Sequence, residues 1–360
     1  MNNKRGIAIA GTHGKTTTTS LVASIMSNAN LDPTFINGGI IKSFNSNAQL
    51  GEGEYLIAEA DESDQSFLLL QPSVSIITNI EPDHLVNYDQ DFENLKKAFL
   101  EFVKNLPFNG ISIVCGDDKV IDQLKIKFQR NHISYGFAET NDFVVSDYES
   151  DGVKSFFKIN SKSDSLKLTL NMLGKHNVLN AAAASILCLQ EGISPKIIQE
   201  SLENFMGIDR RMQILGEKQL KNHRCVFIDD YGHHPTEIKN TIEAIRESYS
   251  NFKLKMVFQP HRFTRTYDLY NEFIEVLKKV DELVLLDIYS AGENAIEGIS
   301  SLDIKNSLEK HGFDDVELIS DKELVIQKLE DEINSDTVFV FQGAGDISTM
   351  SHHVANNFIK

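Results

Sequence analysis

A short glycine-rich segment, Gly11–Thr16, has the residue types needed to bind a phosphate group. It lies between an apolar run, Ile7–Ala10, which predicts a strand, and Thr16–Met26, which predicts a helix. Glycines let several backbone N–H groups face one anion, and a helix N-terminus adds a partial positive charge. Lys15 can reach the outer phosphates of a nucleotide, and the Thr16 hydroxyl can ligate Mg²⁺. The predicted nucleotide-binding residues are Gly11, Thr12, His13, Gly14, Lys15, Thr16 and Thr17.

The spacing of the glycines is shorter than in the general phosphate-loop pattern. That pattern has a glycine five residues before Gly14, and this position is Ile9. The segment is therefore a shortened phosphate loop, or alternatively a strand–helix turn without a ligand. Its position between a strand and a helix favours phosphate binding.

Acidic and histidine residues follow the next two predicted strands, Glu54–Glu59 and Val74–Thr78. Ligands of α/β sheets bind at the carboxyl ends of the strands, and Mg²⁺ prefers oxygen ligands. We therefore expect Glu59 to bind the metal together with Thr16, and His84 to join the metal or the terminal phosphate. A solvated acidic loop and a hydrogen-bonding loop histidine are the alternatives.

The second half of the chain carries charged and titratable residues that suit an amino-acid substrate. Arg262 and Arg265 follow a predicted strand, Lys255–Phe258, and guanidinium groups bind carboxylates with two hydrogen bonds. His233 can orient or deprotonate an amine, because histidine titrates near neutral pH. A turn with two surface arginines is the alternative.

The elements that carry these residues alternate between strand and helix, which predicts a mostly parallel sheet covered on both faces. Residues 139–170 instead predict a small antiparallel meander, because Asp151-Gly152 is a hairpin signal between two strand-like runs. The alternation restarts after Gly207, and the helical pattern Tyr267–Lys279 belongs to this part. We therefore predict an α/β fold with two domains, residues 1–207 and 208–360.

The composition of the chain disfavours nucleic acids and membranes as partners. The 360 residues include 52 acidic and 35 basic ones, for a formal net charge of −17, which disfavours nucleic acid and anionic membranes. No apolar stretch approaches the roughly 18–20 residues of a membrane span. The three cysteines fit no zinc or redox spacing. These features predict a cytoplasmic protein.

The motifs together resemble those of the Mur ligase family, whose own phosphate loop has the shortened form. The resemblance rests on Gly11–Thr16, Asn37–Gly39, Glu59–Asp64, Thr78–His84, His176–Asn180, Arg210-Arg211, Asp229–Glu237, Gln259–Thr266 and Gln342–Gly345. It implies a central P-loop-type ATPase domain followed by a Rossmann-like C-terminal domain. The Gln259–Thr266 segment is similar to that of the alanine-adding members of the family.

The resemblance implies a reaction and a set of site residues. The reaction is ATP- and Mg²⁺-dependent ligation of L-alanine to the carboxylate of UDP-N-acetylmuramate through an acyl phosphate, giving ADP and phosphate. The implied catalytic residues are Lys15, His84 and His233, and the implied metal ligands are Thr16, Glu59 and His84. The further implied nucleotide contacts are His176, Asn177, Asn180, Arg211 and Asp230. The implied substrate contacts are Asn37, Tyr231, His233, His261, Arg262 and Arg265.

The sequence departs from the family pattern in two places. In the family an N-terminal domain holds the UDP group, and because the phosphate loop begins at Gly11 we expect this chain to lack that domain. In addition, Gly207-Ile208-Asp209 replaces a Gly-Thr-Gly-like turn. Two alternatives to the alanine ligase therefore stay open. One is a two-domain fragment that binds ATP without ligation on its own, and the other is a murein-peptide or folylpolyglutamate-type ligase.

Overall fold

The computed structural model describes residues 4–359, with side chains for all of these except positions 322, 326, 330, 331, 355 and 357–359. The chain divides into two compact units, Met1–Asp209 and Arg210–Lys360. Within the described range, no helix combines the length and the apolar character that a membrane span requires.

The first unit is built on one ten-stranded sheet. Its strands are β1 (Arg5–Ala10), β2 (Thr34–Ile41), β3 (Ser46–Gln49), β4 (Tyr55–Glu59), β5 (Val74–Ile77), β6 (Ile111–Cys115), β7 (Asn131–Gly136), β8 (Phe143–Ser150), β9 (Ser155–Asn160) and β10 (Ser165–Leu170). Its helices are α1 (Lys15–Asn28), α2 (Phe92–Lys104), α3 (Lys119–Leu124), α4 (Lys175–Gln190) and α5 (Pro195–Glu203). Short 3₁₀ turns cover Ser66–Leu69, Leu85–Tyr88 and Lys125–Lys127.

The strand order is β10-β9-β8-β7-β6-β5-β1-β4-β2-β3. The strands from β8 to β2 in this order pair in parallel, and antiparallel pairs join β8, β9 and β10 at one end and β2 and β3 at the other. The mostly parallel sheet and the antiparallel meander are thus confirmed. Because β1 lies between β4 and β5, the three loops that follow these strands meet at one edge of the sheet.

Helix periodicity places apolar faces against this sheet. In α2 the buried residues are Leu95, Ala98, Phe99, Phe102 and Val103, which recur at helical spacing. The Asp91 carboxylate accepts a hydrogen bond from the Glu93 N–H and caps the helix. Helices α1 and α4 are instead buried over most of their length, since their Thr-rich and Ala-rich sequences let them pack closely.

The second unit has a six-stranded sheet in the order β11-β12-β16-β13-β14-β15. Its strands are β11 (Gln213–Leu220), β12 (His223–Asp230), β13 (Lys253–Phe258), β14 (Glu282–Leu285), β15 (Val316–Leu318) and β16 (Thr337–Gln342). Its helices are α6 (Pro235–Ser248), α7 (Phe263–Asp268), α8 (Tyr270–Leu277), α9 (Ser301–Lys310), α10 (Lys322–Asp331) and α11 (Ile347–Ile359). Among the described strands of this sheet, only the edge strand β11 is antiparallel to its neighbour. The predicted second α/β domain is confirmed.

Candidate functional site

The phosphate loop turns from β1 into α1 through two glycines that no other residue can replace without strain. Gly11 has φ 131° and Gly14 has φ 83°, both in the region that favours glycine. A Cβ on Gly11 would lie 2.1 Å from Thr78 Oγ1, and one on Gly14 would lie 2.5 Å from Asn180 Oδ1. The loop is therefore closely packed on the segment after β5 and on α4.

Hydrogen bonds from the segment after β5 fix the shape of this loop. The Thr78 hydroxyl donates to the His13 carbonyl at 2.6 Å, and the His13 N–H donates to Asn79 Oδ1 at 2.7 Å. The Glu81 N–H donates to Thr12 Oγ1 at 2.9 Å. These contacts hold the loop in one conformation, and the N–H groups of Thr12 and His13 are both occupied by Asn79. The N–H groups of the first turn of α1 are the ones that suit an anion. Of this segment, sequence reasoning proposed only His84 as a site residue.

The Lys15 side chain folds back over the loop. Its ammonium lies 2.7 Å from the Gly11 carbonyl oxygen, 3.2 Å from that of Thr12 and 2.7 Å from Glu62 Oε2. The Glu62 side chain is almost completely buried, so the alternative of a solvated acidic loop does not describe this residue.

Thr16 and Glu59, two of the three predicted metal ligands, are in contact. The Thr16 hydroxyl donates to Glu59 Oε1 at 3.1 Å, and the Gly38 N–H donates to Glu59 Oε2 at 2.7 Å. A hydroxyl beside a carboxylate at the first turn of α1 is a donor set that fits Mg²⁺. A Cβ on Gly38 would lie 2.8 Å from Glu59 Oε2, so the backbone must approach closely here. Asn37 is buried, and its amide donates to Ser20 Oγ and to the Gly39 carbonyl.

His84, the third predicted metal ligand, pairs with its neighbour. Its Nε2 lies 3.5 Å from Asp83 Oδ2, and its backbone adopts a left-handed φ of 54°. Within the described part of the chain, no hydrogen bond joins His84 to Thr16 or Glu59. Its roles in catalysis and metal binding stay predictions.

Helix α4 contributes two buried amides near the phosphate loop. The Asn177 amide donates to the Leu173 carbonyl at 2.8 Å, and the Asn180 amide donates to Asn177 Oδ1 at 3.4 Å. Asn180 packs against Gly14, while His176 is half-buried at the first turn of the helix. The structure therefore places Asn180 next to the phosphate loop, and the predicted adenine contacts of all three residues stay predictions.

Gly14→Ala should abolish nucleotide binding, because the added methyl would push Asn180 away and strain the loop. Gly192→Ala is the matched control, since Gly192 has a similar φ of 80° but nothing within 4 Å of the added Cβ. Each change should lower the free energy of unfolding by about 1–2 kcal/mol through left-handed backbone strain. Titration of Mg-ADP with each variant should show loss of binding only for Gly14→Ala. Equal nucleotide affinities in the two variants would contradict the assignment of the loop.

In the second unit, two arginines surround Tyr231 after β12. The guanidinium carbons of Arg210 and Arg211 each lie 4.9 Å from the Tyr231 ring centroid, a cation–π distance. Arg210 also donates to the Gly343 carbonyl at 2.6 Å, and Arg211 lies 3.6 Å from Glu237 Oε1. The predicted role of Arg211 at a phosphate stays a prediction.

Asp230 is buried and organises the same region. Its Oδ1 accepts from the Gly232 N–H at 2.9 Å, the Thr241 hydroxyl at 3.2 Å and the Gln342 amide at 2.7 Å. Its Oδ2 accepts from the Met212 N–H at 2.8 Å. The carboxylate therefore connects β12, α6 and β16 to the segment after Arg211, which is a structural role. The predicted contact of Asp230 with the nucleotide stays a prediction.

Four aromatic rings form a continuous row at the carboxyl ends of β12, β13 and β14. Tyr231 and His233 are 5.4 Å apart, His233 and His261 are 5.8 Å apart, and His261 stacks on Tyr289 at 5.4 Å. Burial lowers the pKa of both histidines to about 4, and the positive charge of Arg265 contributes in the same direction. Both imidazoles are therefore neutral at pH 7 and can accept a proton or a hydrogen bond.

The two predicted carboxylate-binding arginines lie beside this row. Arg265 Nη1 lies 3.4 Å from His261 Nδ1, and Arg262 Nη1 lies 3.6 Å from Glu293 Oε1. Glu293 also accepts from the Thr264 hydroxyl at 2.8 Å. Sequence reasoning missed Tyr289 and Glu293, because both lie in an irregular loop after β14 whose position only the folded chain defines.

Comparisons with known proteins agree with this arrangement. The family model for the Mur ligase middle domain matches residues 9–188, half of the chain. The family model described as "Mur ligase, glutamate ligase domain" matches residues 210–345. The first match includes the phosphate loop, and the second includes the row of aromatic rings and the arginines beside it.

Solved structures cover nearly the whole chain. The UDP-N-acetylmuramate-alanine ligase MurC from Thermotoga maritima is 29% identical, with a TM-score of 0.80 over 99% of this chain and 76% of that chain. A murein peptide ligase from Psychrobacter arcticus is 21% identical, with a TM-score of 0.71 over 99% and 78%. The MurF ligase from Thermotoga maritima, solved in complex with ADP, is 17% identical, with a TM-score of 0.75 over 99% and 80%. The latter two share the fold. With the family model matching half of the sequence, the chain belongs to the Mur ligase family.

Proposed function

We propose that this chain is an ATP-dependent acid–amino-acid ligase that joins L-alanine to the carboxylate of UDP-N-acetylmuramate. The observation that carries the ligase assignment is the contact of Thr16 with Glu59 beside Lys15 on the phosphate loop. The 29% identity to an alanine ligase and the Arg262–Arg265 pair support alanine as the amino acid.

The first step activates the acid. A carboxylate is a poor acyl electrophile, because its leaving group would be oxide. The substrate carboxylate oxygen takes the terminal phosphoryl group of ATP, which forms an acyl phosphate and releases ADP. Phosphoryl transfer depends mainly on positioning and charge neutralisation. Lys15 and the N–H groups of the first turn of α1 would supply these, and Thr16 and Glu59 would hold a Mg²⁺ ion that offsets the phosphate charge.

The second step forms the amide bond. The amine of the amino acid attacks the acyl carbon, and phosphate leaves with the oxygen that came from the carboxylate. The amino acid must first lose a proton from its ammonium group, and its carboxylate must be held in place. Arg262 and Arg265 suit the carboxylate. His233 is neutral, and its Nδ1 lies 3.2 Å from the Tyr231 carbonyl oxygen, so Nε2 is the ring atom available to accept.

An amino-acid panel tests the proposal. The chain is incubated with Mg-ATP, UDP-N-acetylmuramate and one amino acid at a time, and phosphate release and the ligated product are measured together. We expect L-alanine to give the highest kcat/KM. A higher kcat/KM with another amino acid would show that alanine is not the preferred substrate. If no amino acid changes the rate of phosphate release, the ligase assignment is rejected.

A further inference from the structure

All three hydrogen-bond donors of the Lys15 ammonium have acceptors in this structure. An ammonium group has three N–H donors. Two of them have acceptors in the phosphate loop itself, the carbonyl oxygens of Gly11 and Thr12. The third points to Glu62 Oε2 at 2.7 Å. A phosphate oxygen can therefore bind this ammonium only by replacing one of these acceptors, and Glu62 is the only one outside the loop backbone.

Glu62 is not an ordinary surface acid. Its side chain is 1% exposed, and its Oε1 is buried without a hydrogen-bond partner among the described residues. Its backbone is fixed, because the Tyr88 hydroxyl donates to the Glu62 carbonyl at 2.5 Å. Burial raises the pKa of the Glu62 carboxyl, although the Lys15 ammonium lowers it. The neighbouring Asp61 is 56% exposed and lies 3.9 Å from the same ammonium.

We propose that Glu62 is a positioning residue that competes with phosphate for the third donor of Lys15. Nucleotide then binds by exchange, as a phosphate oxygen takes the place of the Glu62 carboxylate. This inference rests on the proposed nucleotide site and deepens it. Glu62 then controls the affinity for nucleotide. Its carboxylate keeps Lys15 folded over the loop, and by occupying the ammonium it weakens nucleotide binding.

Glu62→Gln tests the exchange by direct binding. The amide keeps the shape of the side chain, removes its charge and hydrogen-bonds the ammonium more weakly. Calorimetric titration with Mg-ADP and with a non-hydrolysable Mg-ATP analogue should give a Kd roughly fivefold to twentyfold lower than that of the unsubstituted chain. Asp61→Asn, the matched control, removes a charge of the same sign one residue away and should change the Kd by at most about twofold. Unchanged or weaker binding by Glu62→Gln would overturn the proposal.

A double-mutant cycle separates competition from a merely structural role. In a Lys15→Met chain there is no ammonium for which Glu62 and a phosphate oxygen could compete. Adding Glu62→Gln to Lys15→Met should therefore leave the Kd for Mg-ADP unchanged within about twofold. A gain of the same size in both backgrounds would show that Glu62 acts without Lys15 and would reject the exchange.

The outcomes also separate this inference from the proposed function. If the unsubstituted chain binds no nucleotide, the proposed nucleotide site itself fails. If the unsubstituted chain binds nucleotide and Glu62→Gln binds no tighter, only the exchange fails. Thermal unfolding of all four variants, compared with the unsubstituted chain, confirms that each variant folds.

Discussion

Lys15→Met is expected to lower the kcat of ligation by roughly two to three orders of magnitude, the scale of one lost electrostatic contact to a transition state. The Lys15 ammonium is the only side-chain cation that the structure places on the described phosphate loop, and its anchoring to the Gly11 and Thr12 carbonyls directs it across the loop. Methionine keeps the length of the side chain and removes the charge. The measurement is ADP and phosphate release at saturating Mg-ATP, UDP-N-acetylmuramate and L-alanine.

The loop itself should survive this substitution, because Thr78 and Asn79 hold its backbone without help from Lys15. Lys104→Met is the matched control: Lys104 lies on α2 with a side chain that is 52% exposed, and it pairs with Glu101 on the helix surface. We expect its kcat to stay within about twofold of the unsubstituted value. A Lys15→Met chain that folds and retains more than a tenth of the kcat would show that another group neutralises the phosphate charge.

Much of the fold follows from local patterns in the sequence. Apolar runs such as Ile7–Ala10 become buried strands, and the apolar residues of α2 (Phe92–Lys104) recur with the period of a helix. The order of the strands could not be predicted in this way, because no local pattern in β1 indicates that its neighbours in the sheet are β4 and β5. The helical pattern Tyr267–Lys279 was only partly right: the chain forms α7 and α8, which meet at Leu269.

The residues of the candidate site also differ in whether the sequence alone could identify them. Lys15, Thr16 and Glu59 could be found from the sequence, since a phosphate loop and an acid at a strand end are local features. Which acid of Glu59–Asp64 is buried depends on tertiary packing, so the contact of Glu62 with Lys15 could not be predicted. Tyr289 could not be predicted either, because its stacking on His261 depends on the adjacent positions of β13 and β14 in the sheet.

Arg265→Met is expected to raise the KM for L-alanine by roughly 10- to 100-fold, because a charge-assisted hydrogen bond to a carboxylate is worth about 1.5–3 kcal/mol. The kcat should change much less, since the amino-acid carboxylate takes no part in bond making and binds equally before and during reaction. Steady-state rates over a range of L-alanine concentrations, at saturating Mg-ATP and UDP-N-acetylmuramate, give both parameters.

The KM of Arg262→Met for L-alanine can be compared with that of Arg265→Met. We expect the smaller rise for Arg262→Met, because Glu293 lies 3.6 Å from Arg262 and already offsets part of its charge. Glu293→Gln removes that offset, so we expect it to lower the KM for L-alanine, opposite in direction to both arginine substitutions. Arg224→Met is the matched control, since Arg224 pairs with Glu217 on the exposed surface of β11 and β12 and should leave the KM unchanged. A kcat that falls as steeply as the KM rises in Arg265→Met would place this guanidinium at the reacting groups instead of at the amino-acid carboxylate.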